Sequence, residues 1–166
     1  MLRILVKIQK IGIVTERLPK LDEPALQQVG EQLKARVGEL FGGSLAIREV
    51  DAGSCNGCEL EIQALNNPYY GIERYGVHFV ASPRHADMLL VTGPVSRHME
   101  AALRRTYDAT PEPKLVIAVG ECGTNGGEFG MSYASCGAVS NVVPVDGVVR
   151  GCPPTPLDLM RGILEA

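Results

Sequence analysis

The residues best suited to chemistry in this 166-residue sequence are its five cysteines. Cys55 and Cys58 form a Cys-x-x-Cys pair, whereas Cys122 and Cys152 stand singly, each next to or near glycine. Thiolates are soft ligands that suit either tetrahedral zinc or an iron–sulfur cluster. Because structural zinc sites usually combine two close pairs, one pair with two single cysteines favours a cluster over zinc.

Two other uses of these cysteines compete with a cluster. A Cys-x-x-Cys pair at the start of a helix is typical of thiol–disulfide enzymes, since that position lowers the pKa of a thiol. This alternative leaves Cys122 and Cys152 without a role. A zinc site built from all four cysteines, serving only assembly, is the non-redox alternative, and a zinc–thiolate protein is colourless whereas an iron–sulfur protein is brown.

The fifth cysteine and the histidines give weaker signals. Cys136 has no partner motif and is predicted to be a buried free cysteine. The three histidines do not cluster in sequence, so they are predicted to be surface or hydrogen-bonded residues; they are His78, His85 and His98. An odd number of cysteines also fits a disulfide framework poorly.

Other polar motifs have simple structural explanations. The run from Gly123 to Gly127 resembles a phosphate loop only weakly, because no Lys-Ser/Thr pair follows it and no helix is predicted to open cleanly there. Glu59 and Glu61 are explained by the dipole of the helix predicted after the Cys-x-x-Cys pair. Arg84 is either a solvated charge or a cation near an anionic cluster.

The predicted elements alternate as in an α/β domain with a parallel sheet. Each of the four cysteines follows the end of a predicted strand. Because the carboxyl ends of parallel strands lie along one edge, the four thiols are expected to meet there. The predicted strands are 45–50, 78–81, 86–92, 115–119 and 142–149; the predicted helices are 24–41, 59–66, 96–107 and 156–164.

Composition indicates one soluble globular domain, with 45% apolar and 21% charged residues. A net charge of −3 with scattered cations speaks against a nucleic-acid partner. Residues 1–19 lack the features of a secretory signal, and no apolar run approaches the roughly 20 residues needed to span a bilayer. A reducing cytoplasm is therefore expected, where grouped cysteines usually bind metal or carry out redox work.

The first 20 residues differ from the rest of the chain. They are basic and rich in Ile and Val, and they are predicted to form an interaction arm that docks on a partner subunit or at a membrane arm, with residues 21–166 as a single α/β domain. An edge strand or frayed terminus is the alternative. Apolar residues alternate there as in a strand: Leu2, Ile4, Val6 and Ile8.

Seven short motifs occur in the order found in one protein family. From about Gly43 to the C-terminus, the chain resembles the cluster-bearing small subunit shared by complex I (the B-type, 20 kDa-class subunit) and the energy-converting NiFe-hydrogenases. The motifs are Cys55-Asn-Gly-Cys58-Glu-Leu-Glu, Ser82-Pro-Arg-His-Ala-Asp87, Thr92-Gly93, Pro111-Glu-Pro-Lys114, Gly120-Glu-Cys122, Val143-Pro-Val-Asp146 and Gly151-Cys-Pro-Pro154.

The resemblance implies a fold and a ligand set. The fold is a flavodoxin-like α/β fold, with an open, mostly parallel sheet, helices on both faces and the cluster at the carboxyl edge of the strands. The cofactor is one 4Fe-4S cluster bound by Cys55, Cys58, Cys122 and Cys152, with Cys136 outside the ligand set. No catalytic residue is implied on this chain.

The resemblance also implies a function. Complex I subunits typically have two adjacent cysteines where this chain has Cys-Asn-Gly-Cys, the hydrogenase form. The expected role is an electron-transfer subunit of a membrane-associated, formate-hydrogenlyase-like hydrogenase, peripheral on the inner face of the cell membrane. The expected partners are a ferredoxin-like iron–sulfur subunit, a catalytic large subunit and the membrane arm. A complex I subunit that passes electrons toward quinone is the alternative.

The expected number of clusters is one. Uptake-hydrogenase small subunits hold further clusters in a C-terminal extension, and this sequence is expected to lack that extension. The ligands of a NiFe centre would lie on the large subunit, where two Cys-x-x-Cys pairs are expected if nickel is present.

Overall fold

The structure, a computed structural model, describes residues 2–11 and 23–166. Its centre is an open sheet of five strands, all parallel: β1 (Leu45–Asp51), β2 (Val77–Phe79), β3 (Met88–Thr92), β4 (Leu115–Val119) and β5 (Gly147–Val149). The strand order is β2-β1-β3-β4-β5. This order is that of flavodoxin-like sheets, so the predicted fold class is confirmed.

The structure describes six α-helices, and all but the first pack on the two faces of the sheet. They are α1 (Leu2–Ile11), α2 (Glu23–Phe41), α3 (Gly57–Ala64), α4 (Arg97–Ala109), α5 (Gly120–Asn125) and α6 (Pro156–Glu165). Buried residues of α2, α3 and α6 pack on one face, and Leu103 of α4 packs on the other. Among the helices of the described ranges, none has the length and apolar character needed to cross a membrane.

The core is divided in two by the sheet, because successive side chains of a strand point to opposite faces. All five residues of β3 are buried. Met88 and Leu90 pack under α2 and α6, whereas Leu89 and Val91 pack on the side of α4. This burial on both faces explains the unbroken apolar run in the sequence.

Three segments differ from the structure that their sequence pattern suggests. Residues 2–11 form a helix, so the edge strand given as the alternative for this segment is absent there. The rest of the predicted arm, residues 12–20, lies outside the described ranges. The strand predicted over 142–149 is only β5, because Val139–Asn141 forms a 3-10 turn and Pro144 cannot donate to a sheet. The predicted strand 86–92 begins at Met88, after a 3-10 turn at Pro83–His85.

Two motif aspartates turn out to fasten the start of neighbouring strands. Asp87, just before β3, accepts a hydrogen bond from the N–H of Ala46 (2.9 Å) and donates its own N–H to the carbonyl of the same residue (2.8 Å). Asp146, just before β5, makes the same two bonds with Val116, each 2.8 Å. These aspartates therefore hold the sheet register and lie at its amino edge, away from the cysteines.

The motif lysine, Lys114, caps the end of α4. Its side chain is almost fully buried, and its ammonium donates to the carbonyls of Tyr107 (2.8 Å) and Thr110 (3.1 Å). The ammonium also lies 4.0 Å from the centre of the Tyr107 ring. A cation at a helix C-terminus satisfies carbonyls that have no partner within the helix.

Replacing Lys114 with methionine is therefore expected to destabilise the protein without touching the cysteine site. Loss of charge-assisted hydrogen bonds costs about 1.5–3 kcal/mol in the free energy of unfolding. Urea denaturation measures the effect. The control is Lys34→Met on the exposed side of α2, where a change within about 0.5 kcal/mol is expected. Equal losses in the two variants would contradict the capping role.

Candidate metal centre

Four cysteines from three segments of the chain meet at the carboxyl edge of the sheet. Cys55 and Cys58 follow β1, Cys122 lies in α5 directly after β4, and Cys152 follows β5. All four line one cavity of about 160 Å³. The structure thus brings the four predicted side chains together, and their role as ligands stays a prediction. The other lining residues are Ser54, Gly57, Gly93, Glu121, Gly151 and Pro153.

The cavity opens outward on one side. Cys58 and Cys122 are half-buried, whereas Cys55 and Cys152 are exposed. Cys55, Cys122 and Cys152 also line a larger, open cavity of about 480 Å³, together with Phe129 and two glutamates, Glu121 and Glu128. A group bound among the four thiols would therefore be covered by the protein at Cys58 and accessible at Cys55 and Cys152.

The loop that carries the first pair is held by a short hydrogen-bonded turn. Asp51, the last residue of β1, accepts from the N–H groups of Gly53 (2.8 Å) and Ser54 (2.9 Å). The Ser54 hydroxyl then accepts from the N–H of Asn56 (3.1 Å), which adopts a left-handed conformation with φ 71° just before α3. Asparagine tolerates this conformation better than most residues, so the two-residue spacer fits the turn.

The other two loops are joined to each other. The N–H of Glu121 donates to the carbonyl of Gly151 at 3.0 Å, which ties the Cys122 segment to the Cys152 loop. The short helix α5 begins directly at the end of β4 and ends at Asn125, so the first part of the Gly123–Gly127 run is helical. No helix opens directly after Gly127, in agreement with the expectation that this run is not a phosphate loop. The Cys152–Pro153 peptide bond is cis.

Glycines stand where the backbone passes close to the sulfurs. A Cβ atom at Gly120 would lie 2.7 Å from the sulfur of Cys58, and one at Gly127 would lie 2.6 Å from the sulfur of Cys122. Side-chain atoms cannot approach so closely, so only glycine fits at these two positions. In the sequence Gly120 lies close to Cys122, whereas in the structure it lies against the sulfur of Cys58, which follows a different strand.

The space among the four thiols can be compared with what each kind of metal site needs. A tetrahedral zinc ion sits about 2.3 Å from each sulfur and leaves no space between its ligands. Among the residues that the structure describes, no group of three or more His, Cys, Asp or Glu side chains is arranged around a single ion. The four thiols surround a cavity, with backbone close to the sulfurs, and this arrangement fits a multi-atom iron–sulfur cluster.

Two of the four thiols, those of Cys58 and Cys122, have a raised pKa. Burial, followed by the negative charge of Glu59, raises the pKa of Cys58 to about 12. Burial also raises the pKa of Cys122, with a further contribution from Cys152. A raised pKa keeps the Cys58 thiol protonated at neutral pH, which opposes its use as the nucleophile of a thiol–disulfide enzyme. Bound iron would supply the positive charge that stabilises the thiolates.

Glu59 is a residue whose environment the sequence analysis missed. It lies in the first turn of α3, as expected for the helix dipole, but it is only 5% exposed. Neither carboxylate oxygen has a hydrogen-bond partner among the described residues. Glu49 on β1 is half-buried, and its pKa is raised by burial and then by the charge of Glu59. The sequence signal for the burial of Glu59 was its spacing from Ile62. Residues three positions apart lie on the same side of a helix, and Ile62 is buried.

The remaining candidates lie away from the cavity. Cys136 is 4% exposed, and its thiol donates to Glu100 at 3.3 Å, so it is the buried free cysteine that was predicted. Arg84 is exposed in the turn before β3, at the amino edge of the sheet, and is a solvated charge. His78 is half-buried, and the other two histidines, His85 and His98, are exposed.

Comparison with known proteins agrees with the fold and the motifs. Residues 55–166 match the family model described as NADH ubiquinone oxidoreductase, 20 Kd subunit. The chain is 43% identical over 139 residues to a probable membrane-bound hydrogenase subunit, mbhJ, of Pyrococcus furiosus, covering 82% of this chain and 83% of that protein. It is 42% identical over 134 residues to formate hydrogenlyase subunit 7 of Escherichia coli, covering 81% of this chain and 52% of that protein.

A solved structure has a similar fold and a related sequence. The chain is similar to a chain in the structure of the membrane-bound sulfane sulfur reductase (MBS), an archaeal respiratory membrane complex, with a TM-score of 0.66 and 33% identity. The similarity covers 82% of this chain and 72% of that chain. The family match spans more than half of the sequence and includes all four cysteines of the cavity. The chain therefore belongs to the family of the 20 kDa subunit of NADH:ubiquinone oxidoreductase.

Proposed function

We propose that the chain is an electron-transfer subunit that holds one 4Fe-4S cluster on Cys55, Cys58, Cys122 and Cys152. It works within a membrane-associated oxidoreductase complex of the NiFe-hydrogenase type. The observation that carries the proposal is that all four thiols line one cavity at the carboxyl edge of the sheet. Open α/β sheets bind their ligands at this edge.

The protein residues have three tasks in this role. The four cysteines bind the iron atoms of the cluster, and the glycines at 120 and 127 let the backbone pass close to the sulfurs. The half-buried side of the cavity, at Cys58, limits access of water, while the exposed side, at Cys55 and Cys152, faces a redox partner. The bound cluster supplies one-electron chemistry, and its ligation, hydrogen bonds and burial set the reduction potential.

The hydrogenase branch is favoured over complex I by the spacer of the first pair. Asn56 adopts its left-handed conformation directly before α3, which begins at Gly57, so the two spacer residues lie between the cysteines without disturbing the helix. Two relatives carry hydrogenase or formate hydrogenlyase names. The electron would pass from a ferredoxin-like iron–sulfur subunit to the catalytic site of a large subunit that produces or oxidises hydrogen. The second candidate is a complex I subunit that passes electrons toward quinone, which the family description favours.

The test is anaerobic co-purification with a large subunit of the NiFe-hydrogenase type from the same organism. The expected preparation is brown, contains about four irons for each copy of this chain, and gives an EPR signal when reduced. Hydrogen evolution from a reduced low-potential dye supports the hydrogenase branch, and quinone reduction without hydrogen evolution supports complex I. A colourless preparation that contains zinc would overturn the proposal.

The exposed apolar side chains beside the cavity predict an obligate subunit. Phe129, Met131 and Tyr133 are 67%, 70% and 98% exposed. Expressed alone, the chain is expected to aggregate and lose iron in air, and co-expression with the large subunit is expected to prevent both. The control is the double variant Phe129→Ser, Met131→Ser, which should aggregate less when expressed alone. A brown, air-stable monomer of the unmodified chain would contradict this prediction.

A further inference from the structure

The N-terminal helix α1 exposes apolar side chains that the domain does not bury. Val6, Ile8 and Ile11 are 46%, 59% and 53% exposed. Lys7 and Lys10 are exposed as well. A ten-residue helix with exposed aliphatic side chains is marginal in water, because isolated helices shorter than about 12–15 residues gain their stability from packing. Another surface must therefore cover α1.

The charges on α1 indicate the charge of the surface that covers it. The sequence of α1 contains Arg3, Lys7 and Lys10 and no acidic residue, although the whole chain has a net charge of −3. Spacings of four and three residues place these three positions on one narrow side of a helix. The complementary surface is therefore anionic.

The width of the apolar side identifies the kind of surface. Helices that dock in a protein groove present a narrow stripe at i, i+3, i+4 and i+7. In α1 the apolar positions occupy most of the circumference outside the basic stripe, and all of them are aliphatic: Leu2, Ile4, Leu5, Val6, Ile8 and Ile11. This distribution suits burial among acyl chains, with lysine stems reaching up to the headgroups. At about 15 Å, ten helical residues are too short to span a bilayer of about 30 Å.

We propose that α1 is an interfacial helix that binds the surface of an anionic phospholipid membrane. The helix lies in the plane of the interface, with Ile8 and Ile11 among the acyl chains and Lys7 and Lys10 at the anionic headgroups. Attraction of basic residues to anionic lipid falls with ionic strength. The proposal rests on the proposed membrane association only for its setting, because lipid binding by α1 does not require the cluster.

The test uses the full chain, co-expressed with its large subunit, in flotation with lipid vesicles. Vesicles of phosphatidylcholine with 30% phosphatidylglycerol are compared with pure phosphatidylcholine at low and high salt. The variants are Lys7→Glu with Lys10→Glu, and Ile8→Ser with Ile11→Ser. The control is Lys34→Glu with Arg105→Glu, which makes the same change in charge at exposed positions of α2 and α4.

The unmodified protein is expected to float with anionic vesicles at low salt. Vesicle binding should fall at least tenfold in each of three cases: at high salt, with neutral vesicles, and in both α1 variants. The control should bind as the unmodified protein does. Unchanged vesicle binding in the α1 variants would overturn the proposal, as would their release from the large subunit, which would make α1 a protein-docking helix. The iron content of the same samples tests the cluster separately, so a failure of either idea can be recognised.

Discussion

Replacing Cys122 with alanine is expected to abolish the EPR signal of the reduced protein and to remove most of its iron. Cys122 is the single cysteine that the α5 segment contributes to the cavity, so no neighbouring thiol can take its place. The same loss is expected for Cys55→Ala, Cys58→Ala and Cys152→Ala. Metal-binding energy is in part folding energy, so each of the four variants should also unfold at a lower urea concentration.

The matched control is Cys136→Ala, which removes a thiol of the same chain outside the cavity. Cys136 is buried and bonded to Glu100, so its replacement should cost on the order of 1 kcal/mol in the free energy of unfolding. The iron content and the EPR signal should be unchanged. A full signal in Cys122→Ala, or its loss in Cys136→Ala, would show that the ligand set is wrong.

The convergence of the four cysteines could be anticipated from the sequence because it depends on topology. Each cysteine follows an apolar strand, and the order of strands and helices indicates a parallel sheet whose carboxyl ends share an edge. Small errors in strand length do not affect this argument. Although β5 is only Gly147–Val149, it still ends directly before the loop of Cys152.

The packing around the cysteines could not be anticipated because it depends on contacts between distant segments. Gly120 is two residues from Cys122 in sequence, yet its close neighbour is the sulfur of Cys58, on the loop after β1. For Glu59, the spacing places it on the same side of α3 as Ile62, but only the structure shows that this side faces the core. A sequence gives the spacing of residues along a helix, but not which side of the helix faces the core when apolar and polar residues are mixed.

The N-terminal helix shows why the sequence leaves the secondary structure of that segment open. Residues 2–8 alternate between apolar and polar positions closely enough to suggest a strand, and the alternation continues for only a few residues. Over the whole of α1, the basic residues recur at spacings of four and three, which is a helical pattern. The longer window therefore gives the correct period, and the shorter one gives the wrong element.

Gly127→Ala is expected to lower the iron content severalfold, whereas Gly130→Ala is expected to leave it unchanged. The two glycines lie in the same loop with nearly the same backbone conformation, φ 56° and φ 52°. An added methyl group therefore costs about 1 kcal/mol of backbone strain at either position. At Gly127, however, the new Cβ would lie 2.6 Å from the sulfur of Cys122, and at Gly130 it would meet nothing within 4 Å.

The comparison separates backbone strain from displacement of the ligand. Both variants should show a similar small loss of stability from strain, and only Gly127→Ala should also move the Cys122 sulfur away from its position in the cavity. Iron analysis of anaerobically purified protein and the rate of iron loss to a chelator measure the difference. Equal iron contents and equal rates of loss would mean that the Cys122 sulfur can shift without cost. In that case the close contact between position 127 and the Cys122 sulfur would not explain why glycine is found there.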